Sequence, residues 1–201
     1  YTNPQLYNDI MWWKKDDIQF WQHIITANKT QTVLELCCGT GRIGLPLIES
    51  GINYYGIDSS SSFINYFHNQ ISRQKYDISQ IVCDDIRNFN LNQSFDLIFI
   101  GFNSLAHLST NQDLLDALKS IKLHMHSKTI FAIDIFVPDV SFLYRDNQEQ
   151  YNIMDFIHSK TNEKLSILES IDYNPSTSFS PHSTYPSIQH YFYAVLCSRH
   201  Q

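Results

Sequence analysis

The feature that most constrains this chain is the stretch at residues 32–59, TVLELCCGTGRIGLPLIESGINYYGIDS. An apolar, β-rich run (Val33, Leu34, Glu35, Leu36) breaks into a glycine turn at Gly39-Thr40-Gly41, and apolar residues at helical spacing follow at Ile43, Leu45, Leu47 and Ile48. Gly51 stops that segment, and a second apolar run ends in an acid, Tyr54-Tyr55-Gly56-Ile57-Asp58. Strand, tight turn, helix, strand, acid is a βαβ unit, and a sheet built from such units collects its loops on one edge, where ligands bind. Glycines let the backbone turn sharply and let a ligand approach main-chain atoms. The helix start offers free N–H groups, and Asp58 can accept two hydrogen bonds from a ribose diol. The unit reads as a site for a nucleoside-containing cofactor.

Residues 39–44 also spell G-T-G-R-I-G, the G-x-G-x-x-G spacing of NAD-binding proteins, with Asp58 about twenty residues on. Three further features point to S-adenosyl-L-methionine instead. Glu35 lies at the end of the first strand, where it can reach the amino group of a methionine moiety. A third strand, Ile81-Val82-Cys83, ends in Asp84-Asp85 and runs on into Ile86-Arg87-Asn88-Phe89. A fourth, FDLIFI at residues 95–100, continues into Gly101-Phe102-Asn103-Ser104-Leu105. In that order, LELCCGTGR, GIDSS, CDDIRNF and FDLIFIGFNSLAHL resemble the motifs of the Rossmann-like (class I) S-adenosylmethionine-dependent methyltransferases, most closely the small-molecule branch. The resemblance covers roughly residues 1–145, and its four ordered motifs are far more specific than one glycine hexapeptide.

The resemblance implies roles position by position. Glu35 and the turn from Cys37 through Gly39 to Gly41 bind the methionine end. Asp58 holds the ribose hydroxyls, with Ser59 beside it. Asp85 accepts from the adenine amino group, and the Ile86 amide meets a ring nitrogen. Phe102 and Asn103 lie next to the sulfonium methyl. In one place the chain departs from the family pattern of acid-x-Gly-x-Gly-x-Gly: Cys37 stands where the first glycine belongs. Cysteine is small, so tolerance is expected there.

A chain of 201 residues suffices for one α/β domain and a small addition. Its 43% hydrophobic content supports a packed core, and a net charge of −6 with no run of Lys and Arg argues against a nucleic-acid footprint. The fourth strand also lacks the Asn/Asp-Pro-Pro-aromatic sequence of nucleic-acid methylation. No stretch of about 18 apolar residues reads as a membrane span, and no secretory signal is visible. The chain opens on Tyr1, so its true start can lie upstream. Cys37, Cys38, Cys83 and Cys197 show no metal-ligand spacing and read as reduced, buried thiols of a cytoplasmic protein.

In residues 1–31, Ile10, Trp13, Phe20, Trp21 and Ile24 can share a helical face packed on the sheet edge, while Tyr1, Tyr7 and Trp12 can form a lid over the cofactor. A short helix is expected at residues 42–50, with Pro46 tolerable in its first turn, and one after the N-cap cluster at residues 59–62, carrying Phe63, Ile64, Phe67 and Ile71. His107 can act as a catalytic base or simply start a helix. Residues 112–123 read as an amphipathic helix, and His124 and His126 as its polar end, with metal ligation the alternative. A fifth strand is expected at 129–137. Asp134, near its ligand-facing end, either contacts substrate or satisfies loop amides. A short helix can follow at 139–144.

The sequence divides into a cofactor-binding domain with a helical lid, residues 1–145, and an antiparallel β segment on the substrate side, residues 146–201. In the latter, two strands join near Thr161-Asn162-Glu163 and a third follows a Ser/Pro-rich loop at 175–186, as a meander or as the closing strands of the main sheet. An open sheet edge there suggests a homodimer. The aromatic set Tyr151, His158, Tyr173, Tyr185, His190, Tyr191 and Tyr193 can line an acceptor pocket or fill strands. The expected fold is a doubly wound, mostly parallel α/β sheet with an antiparallel addition. The expected activity is methyl transfer to N or O of a small molecule. Two rivals stand beside it: a non-catalytic cofactor-binding or dimerisation protein, and an NAD-dependent oxidoreductase resting on G-T-G-R-I-G alone.

Overall fold

The protein is described by a computed structural model covering residues 3–72, 77, 80–137, 146, 149–173 and 188–195, with backbone alone for 170–173 and 188–195. The helix expected at 139–144, the loop at 175–186, and Tyr1, Tyr185 and Cys197 lie outside the described residues. In chain order the elements are α1 (Pro4–Ile10), α2 (Asp16–Ala27), β1 (Thr32–Leu36), α3 (Gly44–Glu49), β2 (Asn53–Asp58), α4 (Ser61–Ile71), β3 (Ile81–Cys83), β4 (Phe95–Ile100), a 3-10 turn (Ser104–His107), α5 (Asn111–Leu123), β5 (Met125–Ile133), β6 (Tyr151–Ile157), β7 (Lys164–Tyr173) and β8 (Ile188–Val195). They form two compact units. One gathers residues 13–136 with the first four, and the other gathers 5–12 with 137–201.

The first unit is a five-stranded parallel sheet in the order β3-β2-β1-β4-β5. Helices cover both faces, so its central strands read as continuous apolar runs. On one face Trp21 and Ile25 of α2, Leu47 and Ile48 of α3, and Ile64, Phe67 and Ile71 of α4 pack on Val33, Tyr54, Leu97 and Phe99. On the other, Ala117 and Ile121 of α5 pack on Leu34, Leu36, Ile98 and Ile100. The strand order reverses between β1 and β4, and ligands bind at such a switch point, beyond the carboxyl ends of the strands. The loops leaving those two strands are the glycine turn and the Gly101-Phe102-Asn103 segment.

Several elements match expectation for local reasons. Ser60 caps α4, its hydroxyl accepting from the Phe63 N–H. Thr110 caps α5 through the Asp113 N–H in the same way. Pro46 falls in the first turn of α3, where its missing N–H goes unused. Other elements differ. Residues 1–31 form two helices broken at 11–15, and of the five residues assigned to one helical face only Trp21 is buried in the core. β5 runs from Met125 to Ile133, four residues earlier than expected at both ends; its early start follows a register slip against β4 between Phe95 and Leu97. His124 is no polar helix end. It is 1% exposed, stacks on Phe89 at 4.3 Å, accepts from the Leu91 N–H at Nε2 (2.9 Å) and donates from Nδ1 to the Ser120 carbonyl (2.7 Å). His126 pairs instead with Asp96, and no group of three or more potential metal ligands occurs among the described residues.

The second unit is an antiparallel meander, β6-β7-β8. The turn joining β6 to β7 passes through Asn162 at φ +58°, a conformation asparagine tolerates. Phe156, Leu165 and Ile167 form its small core, covered by Leu6 and Ile10 of α1 and by Met154. Asp9 fastens α1 to the end of β6 by accepting from the Ser159 N–H and hydroxyl, both at 2.9 Å.

Candidate functional site

The glycine turn is built on left-handed backbone. Cys37, Gly39 and Gly41 have φ of +61°, +58° and +83°. At Cys37 the constraint is therefore conformational, not one of size. Glycine suits that position because φ is positive, and cysteine occupies it at a cost of about 1–2 kcal/mol. Replacing Cys37 with glycine should leave stability within about 1 kcal/mol. Replacing it with valine, β-branched, should cost about 2 kcal/mol. Equilibrium urea unfolding of the two variants checks the difference. Burial, reinforced by the charges of Asp58, Glu35 and Asp85, pushes the Cys37 thiol up to about 12, so it stays protonated and is no nucleophile.

Those three acids stand at or just beyond the carboxyl ends of the adjacent strands β1, β2 and β3. Asp58 locks the turn: its Oδ2 accepts from the Gly39 N–H and its Oδ1 from the Ser60 N–H, both at 2.8 Å. Each oxygen keeps a second lone pair. Ser59 beside it is exposed. Glu35 is buried, and its Oε2 accepts from the Tyr54 hydroxyl at 2.5 Å. Burial outweighs that hydrogen bond and the Arg42 charge, pushing the Glu35 carboxyl up to about 8. Asp85 is held by Arg87, whose Nε and Nη2 reach both carboxylate oxygens and whose N–H reaches Oδ1. The guanidinium keeps the Asp85 carboxyl below the usual range. The Ile86 amide has no acceptor among the described residues.

Beyond β4, Phe102 and Asn103 are both left-handed, at φ +51° and +56°. Asp134 imposes this pair: its carboxylate accepts from the Phe102 N–H and its carbonyl from the Asn103 N–H, both at 3.2 Å. Asp134 thus satisfies loop amides, one of its two expected roles. The Asn103 side chain closes the lock by accepting from the Phe136 N–H at 3.2 Å. Arg42 stacks over the Phe102 ring at 4.9 Å and makes a two-pronged ion pair with the buried Asp17 of α2. His107 ends the 3-10 turn and is exposed.

The first unit therefore brings together the loops bearing Glu35, Cys37, Gly39, Gly41, Asp58, Ser59, Asp85, Ile86, Phe102, Asn103 and His107. Tyr7 and Trp12 belong to the second unit, where Trp12 lines a cavity with Asn8, Asp9 and residues 155–157. Sequence reasoning missed Tyr54, the Arg42–Asp17 pair, the Arg87 clamp and the Asp134 lock. Strand parity could have found Tyr54. In the β1–β2 register Val33 faces Tyr54 and Glu35 faces Gly56, so the phenol shares a sheet face with Glu35 and a gap lies between them.

The donor set fits S-adenosyl-L-methionine. Its ammonium, ribose hydroxyls and adenine amino group are donors, and this edge offers carboxyl oxygens at Glu35 and Asp58. Its carboxylate is an acceptor, and the one fully buried side-chain nitrogen or oxygen without a partner among the described residues is a donor, Trp21 Nε1, beside Gly101 at the end of β4.

Residues 33–128 match a family described as a methyltransferase domain. The Bacillus subtilis protein YqeM, named as a methyltransferase, is 27% identical over 153 residues, 70% of this chain and 59% of its own, so the chain spans about three fifths of that relative. Solved structures with the same fold include an S-adenosylmethionine-dependent methyltransferase from Clostridium acetobutylicum, with TM-score 0.62, 19% identity and 94% of this chain matched to 78% of the other. CalS10, an amino pentose methyltransferase of Micromonospora echinaspora solved with S-adenosylmethionine bound, gives TM-score 0.66 at 12% identity, 98% of this chain against 83%. DesVI of Streptomyces venezuelae gives 0.63 at 14% identity, 91% against 77%. Residues 33–128 are thus similar to a methyltransferase domain, and the chain shares its fold with these S-adenosylmethionine-dependent methyltransferase structures. No described helix is long and apolar enough to cross a membrane.

Proposed function

We propose that this protein is an S-adenosyl-L-methionine-dependent methyltransferase acting on N or O of a small molecule. The observation that carries the reading is the left-handed glycine turn flanked by Glu35 and Asp58 at the ends of neighbouring strands. The names of fold neighbours support the acceptor class, among them a sugar N-methyltransferase and a glycopeptide N-methyltransferase. When bound, the cofactor supplies a methyl group already activated by its sulfonium charge. The protein's part is then chiefly proximity and orientation, for which about 7–11 kcal/mol is available.

In this reading Glu35 and the residues 37–41 turn hold the amino-acid end and Asp58 the ribose hydroxyls. The Ile86 amide meets the adenine ring, and Asp85 reaches its amino group only in competition with Arg87. Phe102 and Asn103 shape the wall near the reacting atoms, and His107 is the group able to take a proton from a protonated acceptor.

Asp58→Ala removes both the ribose acceptor and the Gly39 anchor. It should weaken S-adenosylhomocysteine binding by about 10–100-fold, measured by isothermal titration. The activity itself is tested by incubating the protein with methyl-labelled S-adenosylmethionine and panels of amines, aminosugars and phenols, then following label into a product. Tight cofactor binding with no labelled product across such panels would favour the non-catalytic alternative.

A further inference from the structure

Tyr54 is the most enclosed polar side chain beneath the glycine turn. It is 0% exposed, yet it lies near the start of β2 on the core face, where an aliphatic residue would fill the space without a hydroxyl to satisfy. The surroundings are cut to admit it. A Cβ at Gly44 would stand 2.4 Å from the Tyr54 Oη, and one at Gly56 would stand 3.1 Å from it. Gly44 is the third glycine of G-T-G-R-I-G and opens α3, so the hexapeptide that resembles a dinucleotide fingerprint here makes room for a phenol. Phe67 packs edge-on against the Tyr54 ring at 6.2 Å and fixes its position.

The hydroxyl spends its hydrogen bond on one oxygen of Glu35, Oε2. The other, Oε1, is bonded by no described residue, and it is not among the fully sealed unpartnered atoms. One oxygen is thus engaged by Tyr54, and Oε1 keeps its acceptor capacity for a ligand.

We propose that Tyr54 is a positioning residue for the cofactor: its hydroxyl orients Glu35 so that Oε1 receives the ammonium group of the methionine moiety. The inference rests on the proposed cofactor reading and adds to it a residue with no cofactor contact of its own. It makes a discriminating demand. Losing the hydroxyl should hurt ligands that carry the amino-acid tail and spare those that lack it.

The experiment is isothermal titration of wild type and Tyr54→Phe with S-adenosylhomocysteine, which has the tail, and with 5′-methylthioadenosine, which has the nucleoside and thioether but no ammonium. Tyr54→Phe should weaken S-adenosylhomocysteine about tenfold and 5′-methylthioadenosine less than about twofold. Equal weakening of both ligands, or of neither, overturns the proposal. Wild-type binding of S-adenosylhomocysteine separately tests the cofactor reading, so the two failures are distinguishable. If the orphaned carboxylate prevents Tyr54→Phe from folding, Glu35→Gln and the double variant Glu35→Gln/Tyr54→Phe take its place. With the carboxylate gone, the second substitution should add no further loss of S-adenosylhomocysteine affinity, whereas a further loss would contradict action through Glu35.

Discussion

Gly41→Ala is expected to destabilise the first unit by about 3 kcal/mol or more and to abolish cofactor binding. Two costs add at this position. Its φ of +83° is left-handed, worth about 1–2 kcal/mol against any residue with a Cβ. The Cβ would also fall 2.3 Å from Cε2 of the Phe67 ring. Phe67 cannot retreat, because it is 0% exposed and packs against Tyr54 in the core beneath the turn. Overpacking of that kind costs about 1–3 kcal/mol. For a protein of this size the sum lowers Tm by about 6–12 °C. Gly51→Ala is the internal control. Its φ is +85°, but nothing lies within 4 Å of the added atom, so only the backbone cost applies. Differential scanning calorimetry should place Gly41→Ala well below Gly51→Ala, and equal losses would show that Phe67 yields.

Arg42→Ala is expected to cost about 3–5 kcal/mol, the range for removing one partner of a buried ion pair. Asp17 is 6% exposed, and its carboxylate takes both prongs of the Arg42 guanidinium, which also donates to the Lys14 carbonyl at 2.9 Å. Without Arg42, Asp17 remains buried with no countercharge, the start of α2 loses its anchor, and the left-handed Phe102 loses the cation above its ring. Much of that cost is the orphaned charge and not the net worth of the pair. The double replacement Asp17→Leu/Arg42→Met should therefore recover at least half of the lost stability in urea unfolding. A loss under about 1 kcal/mol for Arg42→Ala would mean water reaches Asp17.

The parallel sheet was legible because its strands are buried on both faces and stand out as apolar runs between turn residues. FDLIFI at β4 and the run ending in Asp58 at β2 needed no tertiary information. The cap at Ser60 was legible for the same reason, being local chemistry, whereas Thr110 capping α5 was not read from the sequence. What escaped was long-range. His124 looked like the polar end of a helix because its spacing from Met125 and His126 says nothing of Phe89 and the Leu91 amide, which enclose it. The start of β5 was missed because a register slip against β4 has no local signature. At the site, the acids and glycines were visible as motif positions, but their partners were not. Asp17 lies twenty-five residues from Arg42, and Asp134 lies thirty-two from Phe102. Cys37 taught the clearest lesson. Sequence comparison suggested a question of size, and the backbone turned it into one of φ.

The central claim is that this edge binds S-adenosyl-L-methionine through its amino-acid and ribose ends. The most direct test is isothermal titration of the wild-type protein with S-adenosylhomocysteine, the product form of the cofactor, with NADH as the competing ligand. The account predicts saturable one-to-one binding of S-adenosylhomocysteine with a Kd of about 1–100 μM, worth about 5–8 kcal/mol, and no heat with NADH. No binding of S-adenosylhomocysteine by folded protein, or saturable binding of NADH in its place, would contradict it.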